Sequence, residues 1–218
     1  MEKFILLLIF TLSFSNLSSQ NLNNNDNQIH KENIEAGKTK LKIFLNNRLD
    51  KIKEAIRKEE EKLSDIKDFQ FGRLNSTKEK QIEKQKDKIS TLEKYKLRIE
   101  NELINSNIHK TFKFQKNPKQ LVKYLFNAMQ KKDFKKLRHL CDPYMENDSD
   151  VNGICLINTF NDKQKEQIVN RFKNGRIMGD SVIEKNKAEI EVAIGINAKK
   201  LEKITLVERN DYWYLFSF

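Results

Sequence analysis

The segment NPKQLVKYLFNAMQKKDFKKLRHLCDP, residues 117–143, marks the point where long charged helical patterns give way to a compact unit. Asn117 and Pro118 make a strong helix start. The Asn side chain can cap the first orphan amides, and proline has no amide to lose at the first helical position. Leu121, Val122, Leu125, Ala128 and Met129 then mark one helical face. Asp133 is placed to cap a second short helix with Phe134, Leu137 and Leu140 on its face, and Asp142-Pro143 ends it.

Downstream, residues 144–159 read as a loop containing Gly153, and NDKQKEQIVNRF from Asn161 as a third short helix. Period two then takes over. In KAEIEVAIGIN, Ala188, Ile190, Val192, Ile194 and Ile196 alternate with Glu189, Glu191, Ala193, Gly195 and Asn197, which is a strand with one buried face. RIMGDSVIE before it and KITLVER after it are further strands, with turn chemistry at Asn186 and Asn210-Asp211. YWYLFSF is the last strand. Tyr212, Tyr214, Phe216 and Phe218 share one of its faces, and Trp213 and Leu215 the other. One face packs on the helices; the other either lines a dimer or partner face or is covered by neighbouring elements. Helices followed by an antiparallel meander predict an α+β domain over residues 117–218.

Upstream, residues 31–108 carry two helical seams. Leu45, Leu49, Ile52, Ile56, Glu59, Leu63 and Ile66 step by four and three, and so do Ile82, Gln85, Ile89, Leu92, Lys96, Ile99 and Leu103. Between them DFQFGRLNS holds Phe69, Phe71 and Gly72, with Ser76 and Glu79 spaced as a capping box. Near-equal lengths and a short connection predict a long antiparallel hairpin or coiled coil. One long helix dimerising in parallel stays open as the competing arrangement.

The N-terminus reads as a signal peptide over residues 1–19. FILLLIFTLSF is apolar but shorter than a membrane span, and small residues follow, with cleavage after Ser15 or near Ser19. No cysteine stands there to accept a lipid. QNLNNNDNQIH, residues 20–30, reads as a disordered linker. These features predict an exported chain, periplasmic or extracellular. Its net charge of +11 divides evenly between residues 31–110 and 111–218. That suits attraction to anionic envelope polymers rather than a dedicated basic tail, and export argues against a nucleic-acid partner. Export also makes Cys141 and Cys155 a candidate disulfide, with two unpaired buried thiols as the alternative. The chain shows no set of four zinc ligands at recognisable spacing.

The segment 117–218 resembles the nuclear transport factor 2-like (SnoaL-like, cystatin-like) domain of small bacterial secreted proteins. The resemblance rests on Pro118, on FNAMQKKDFKKL with Ala128 and Asp133, on the EIEVAI strand and on NDYWYL near the end. It implies helices packed on a curved antiparallel sheet in a cone, often with a pocket and often dimeric. Enzymes of that family place Asp, His or Tyr inside the cone. Here the inward strand positions are Ile, Val and Ala, and His30 and His109 fall outside the domain. Tyr144 and Asp180 are the candidates to face a pocket. Tyr212, Trp213, Tyr214 and Phe216 complete the candidate pocket or partner face. No catalytic constellation, cofactor site or metal site is expected. The reading is an exported, non-catalytic binding or accessory protein for a small apolar ligand or a protein partner, with homodimerisation open. A structural envelope protein acting through its basic coiled coil is the alternative, and a lyase or isomerase of the same fold is a further one.

Overall fold

The structure, a computed structural model, describes residues 2–69 and 75–218, and the side chains of residues 25–69 and 77–218. The side chains of the expected signal peptide, the Gly72 turn and the Ser76 cap lie outside the described residues. Helix α1 spans Glu2–Asp68 and α2 spans Asn75–Asn105. Residues 25–30, expected as a disordered linker, belong to α1. The half-buried His30 side chain gives that turn a partner, meeting the Tyr144 hydroxyl at 2.6 Å. Among the described residues no helix is long and apolar enough to cross a membrane.

Along α1, successive residues contact progressively earlier residues of α2. Arg48 bonds Tyr95, Gln85 Nε2 reaches the Glu59 carbonyl at 2.8 Å and its carboxylate at 2.7 Å, and Lys78 reaches the Phe69 carbonyl at 3.0 Å. Gln85, which dilutes the apolar seam of α2, is therefore buried with its amide satisfied.

After α2 comes the body. Helix α3 spans Pro118–Lys131, and Asn117 accepts the Gln120 N–H at 3.0 Å as its cap. The helix ends at Lys132, whose φ of 53° is left-handed. The expected second helix is only a 3-10 turn, Leu137–Leu140. Its six residues from Asp133 to Arg138 are too charged to bury a full α-helical face. Residues 144–159, expected as a loop, contain helix α4, Ser149–Cys155, capped by Asp148. Helix α5, Asp162–Phe172, starts with a capping box between Asn161 and Gln164.

The sheet is antiparallel. Its strands are β1 (Arg176–Ile177), β2 (Val182–Glu184), β3 (Lys187–Ile194), β4 (Lys200–Arg209) and β5 (Tyr212–Ser217). The order is β1-β3-β4-β5, and β2 pairs with β3 on the edge that β1 also uses. Asn210 and Asp211, at φ of 51° and 64°, make the two-residue turn between β4 and β5. Ala188, Ile190, Val192 and Ile194 are buried, as the alternation requires. Ile196 lies past the strand end and is exposed.

The fold class is thus α+β, with helices ahead of an antiparallel sheet. Its core does not stop at the boundary between the helical segment 31–108 and the segment 117–218. Leu45 of α1 and Ile99 of α2 are fully buried in the same apolar cluster as Leu121, Leu125, Ile190 and Leu215. Arg48 reinforces this junction, its guanidinium lying 5.5 Å from the Tyr95 ring and 5.6 Å from the Phe160 ring. Leu45→Ala is expected to destabilise the whole chain by about 2–5 kcal/mol. Trp213, the single tryptophan, is buried in β5 and reports the body. Its fluorescence midpoint in urea should fall in the variant; an unmoved midpoint would mean that helices and body fold separately.

Candidate functional site

Of the residues expected to line a pocket, the structure brings some together and separates others. Asp180 does not face a pocket. Its side chain is almost fully exposed and pairs with Lys119, which holds its carboxyl below the usual range. Tyr144 lies elsewhere, half-buried, with the Arg209 guanidinium 4.3 Å from its ring centroid. Trp213 and Tyr214 are both buried although they point to opposite faces of β5. Tyr212 and Phe216 are half-buried, with the Lys116 and Lys187 ammonium groups 5.4 and 5.0 Å from their rings. Neighbouring elements therefore cover both faces of β5, which does not form an open aromatic face. Cys141 and Cys155 are joined in a disulfide, their Cα atoms 6.0 Å apart, which ties the end of the 3-10 turn to α4.

What the strand pattern did not suggest is a polar cluster where α1 and α2 meet the body. All three histidines of the chain lie there. His30 of α1 contacts Tyr144. His109, just after α2, places Nε2 3.3 Å from the Tyr214 hydroxyl. His139, in the 3-10 turn, is buried with its ring 5.8 Å from that of Phe112. The partners of His30 and His109 stand about a hundred residues away in sequence and that of His139 more than twenty, so no local motif betrays them. Nearby, the buried Asp142 takes two bonds of 3.1 Å from Arg209, which also reaches Glu146 at 2.6 Å. Gln115, fully buried, donates to the carbonyls of His139 (3.1 Å) and Trp213 (3.3 Å), and its Oε1 accepts the Phe112 N–H at 2.9 Å.

Burial dominates the electrostatics. It lowers His139 to about 4, helped by Arg138, His109 and Lys110. It lowers His109, with contributions from His30 and Lys38, and His30, with a contribution from Arg209. Burial also raises the Glu102 carboxyl against the attraction of Arg138. Glu102 Oε1 is 3.0 Å from Arg138 Nη2 yet makes no hydrogen bond. That pair costs more in lost hydration than its geometry returns.

Between these groups lies a cavity of about 60 Å³, lined by Glu102, Ser106, His109, Arg138, His139 and the disulfide among others. Small-molecule pockets are typically about 300–1,000 Å³, so this one suits water rather than a metabolite. Among the described residues no group of three or more His, Cys, Asp or Glu is placed to hold a metal. The cluster is a polar joint: neutral imidazoles and two tyrosine hydroxyls join the helices to the body, flanked by two acid–arginine pairs. Compared with known proteins, the chain matches no family model, no curated protein and no solved structure.

Two outcomes follow for the joint. The imidazoles have folded pKa values below their usual 6.5, so the unfolded chain binds more protons as pH falls. Their contribution to stability is complete above 6.5 and is lost progressively toward about 4. Urea midpoints across that window should drop, and His139→Gln should flatten the drop. Separately, Cys141→Ser with Cys155→Ser should cost about 3 kcal/mol, the chain-entropy value for a loop of about 15 residues. Calorimetry of the oxidised and double-variant proteins checks it.

Proposed function

We propose that the chain is an exported, non-catalytic binding or accessory protein. In this reading α1 and α2 form an antiparallel coiled-coil hairpin that carries an α+β body and sets its reach. One observation supports it above the others. Among the described residues, the hydrogen bonds and ring contacts found from the helices to the body reach no further than Arg48 on α1 and Arg98 on α2. Beyond those residues the helices contact each other. Residues 49–68 would thus extend about 30 Å past the joint at 1.5 Å per residue. Their outward surface is charged, with Arg57 bonded to Glu54 and Glu61 along one helix face.

The nuclear transport factor 2-like identity of residues 117–218 belongs to the same proposal. Its support is the sequence of helices α3 and α5 followed by β3, β4 and β5 in an antiparallel meander. The family's interior ligand pocket draws no support, because side chains fill the core. Binding is therefore assigned to the outer surface.

The test begins with cell fractionation of a bacterium expressing the full chain. The expected product is periplasmic, with its mature N-terminus between residues 16 and 20; cytoplasmic chain with residues 1–19 intact would overturn export. A variant with residues 57–88 replaced by a short turn should keep the Trp213 unfolding transition. Native mass spectrometry then reads the role of the helices. Loss of a partner or oligomer from the trimmed chain assigns them reach or assembly, and unfolding of the trimmed body would overturn the division of labour.

A further inference from the structure

Away from the joint, an open cleft of about 860 Å³ lies between α3, the connection from α5 to β1, and the turn from β3 to β4. Its wall on α3 is Lys123, Asn127 and Gln130, spaced by four and three on one exposed helix face. The α5–β1 side brings Lys173 and Arg176, and the β3–β4 turn brings Asn197. The floor is close-packed: Gly175 rests directly on the Phe126 ring, where any Cβ would overlap it. Asn174 fixes the end of the cleft by donating to the Ile196 carbonyl at 2.6 Å.

The charge pattern distinguishes this cleft from the generally basic surface. Three cations line it and no acid does. Three cations close by are matched, Lys119 with Asp180, Lys132 with Glu166, and Arg171 with Asp150 and Glu202, whereas Lys131 at the end of α3 adds a further charge unmatched among the described residues. The side chains of Lys123 and Arg176 have neither an ion pair nor a hydrogen bond among the described residues. The side chains of Asn127, Gln130 and Asn197 also make no hydrogen bond there. Unmatched cations in a concave wall concentrate anions. Primary amides, with a donor and an acceptor on one planar group, suit hydroxyls. An open trough suits a segment of an extended chain rather than an enclosed metabolite.

From this geometry we infer that the cleft binds an anionic saccharide, a hydroxyl-rich chain bearing carboxylate or phosphate groups. The cations take the acidic groups, the amides take the hydroxyls, and exposed Ile196 at the rim offers an apolar surface to the sugar ring. The inference stands whether or not the chain is exported.

The test is titration of the purified protein at low salt, read by calorimetry and amide chemical shifts. The probes are oligogalacturonate, a glycerol-phosphate oligomer, neutral dextrin and polyglutamate. An acidic saccharide should bind, with shifts centred on Asn127, Lys173 and Arg176, and dextrin should not. Which of the two acidic probes binds more tightly tells carboxylate from phosphate. Lys123→Gln with Arg176→Gln should weaken binding about tenfold or more. Asn127→Ala with Gln130→Ala should weaken the saccharide and leave polyglutamate unchanged. These side chains are exposed, so the unfolding midpoint should hold in every variant. Three results would each overturn the inference: no binding by either acidic saccharide, equal binding of polyglutamate, or equal weakening by Lys80→Gln, Lys86→Gln and Lys94→Gln on α2.

Discussion

Burial of Leu45 and Ile99 in the body's core is the constraint on which the rest depends. Each helix carries one apolar stripe, and an isolated stripe stabilises little without a partner surface. Each stripe has two partners in succession. Toward the tip it meets the other helix; at the base it meets the sheet domain. The apolar cluster passes from Leu45, Leu49, Ile52 and Ile56 through Ile99 to α3 and the sheet without a break. A domain of about a hundred residues has a modest core, and the helix bases enlarge it.

Around that apolar junction sits a ring of polar ties that fix its geometry. Gln115 joins the backbone of three separate segments through one side chain. Asp142 and Arg209 link the segment after the disulfided Cys141 to the end of β4. Directional bonds of this kind are satisfied in only one arrangement of the elements, so they specify orientation while burial supplies most of the stability. The raised Glu102 carboxyl and the lowered imidazoles are what such an arrangement costs.

Much of the architecture was legible because its signals are local. Asn117-Pro118 starts a helix by its own chemistry, and β3 shows its buried face by alternation. Asn210-Asp211 turns the chain where the sequence says it must. The helix over residues 25–30 was not legible, because an Asn-rich stretch has no apolar period; part of its support comes from Tyr144, over a hundred residues away. Helix α4 was hidden for the related reason that seven residues are too few to show a period. The candidate site was read least well. Tyr144 and Asp180 were named together as facing a pocket, but Tyr144 is taken up by His30 and Arg209, and Asp180 is not its neighbour. The three histidines were set aside because two of them precede the domain. Treating the helical segment as separate from the body removed from view the contacts that only their union creates. The aromatic strand was read correctly in its alternation, but alternation alone cannot say what covers each face.

Gly37 shows how tightly the union is made. A Cβ at that position would overlap the Pro143 carbonyl oxygen, so α1 lies backbone to backbone against the loop that follows the disulfided Cys141. In the proposed reading this is a fulcrum, and residues 49–68 are the arm. Over an arm of about 30 Å, a tilt of about 10° at the fulcrum carries the far end through about 5 Å. In that reading glycine at one position sets where residues 49–68 point, and a side chain there would re-aim them without touching them.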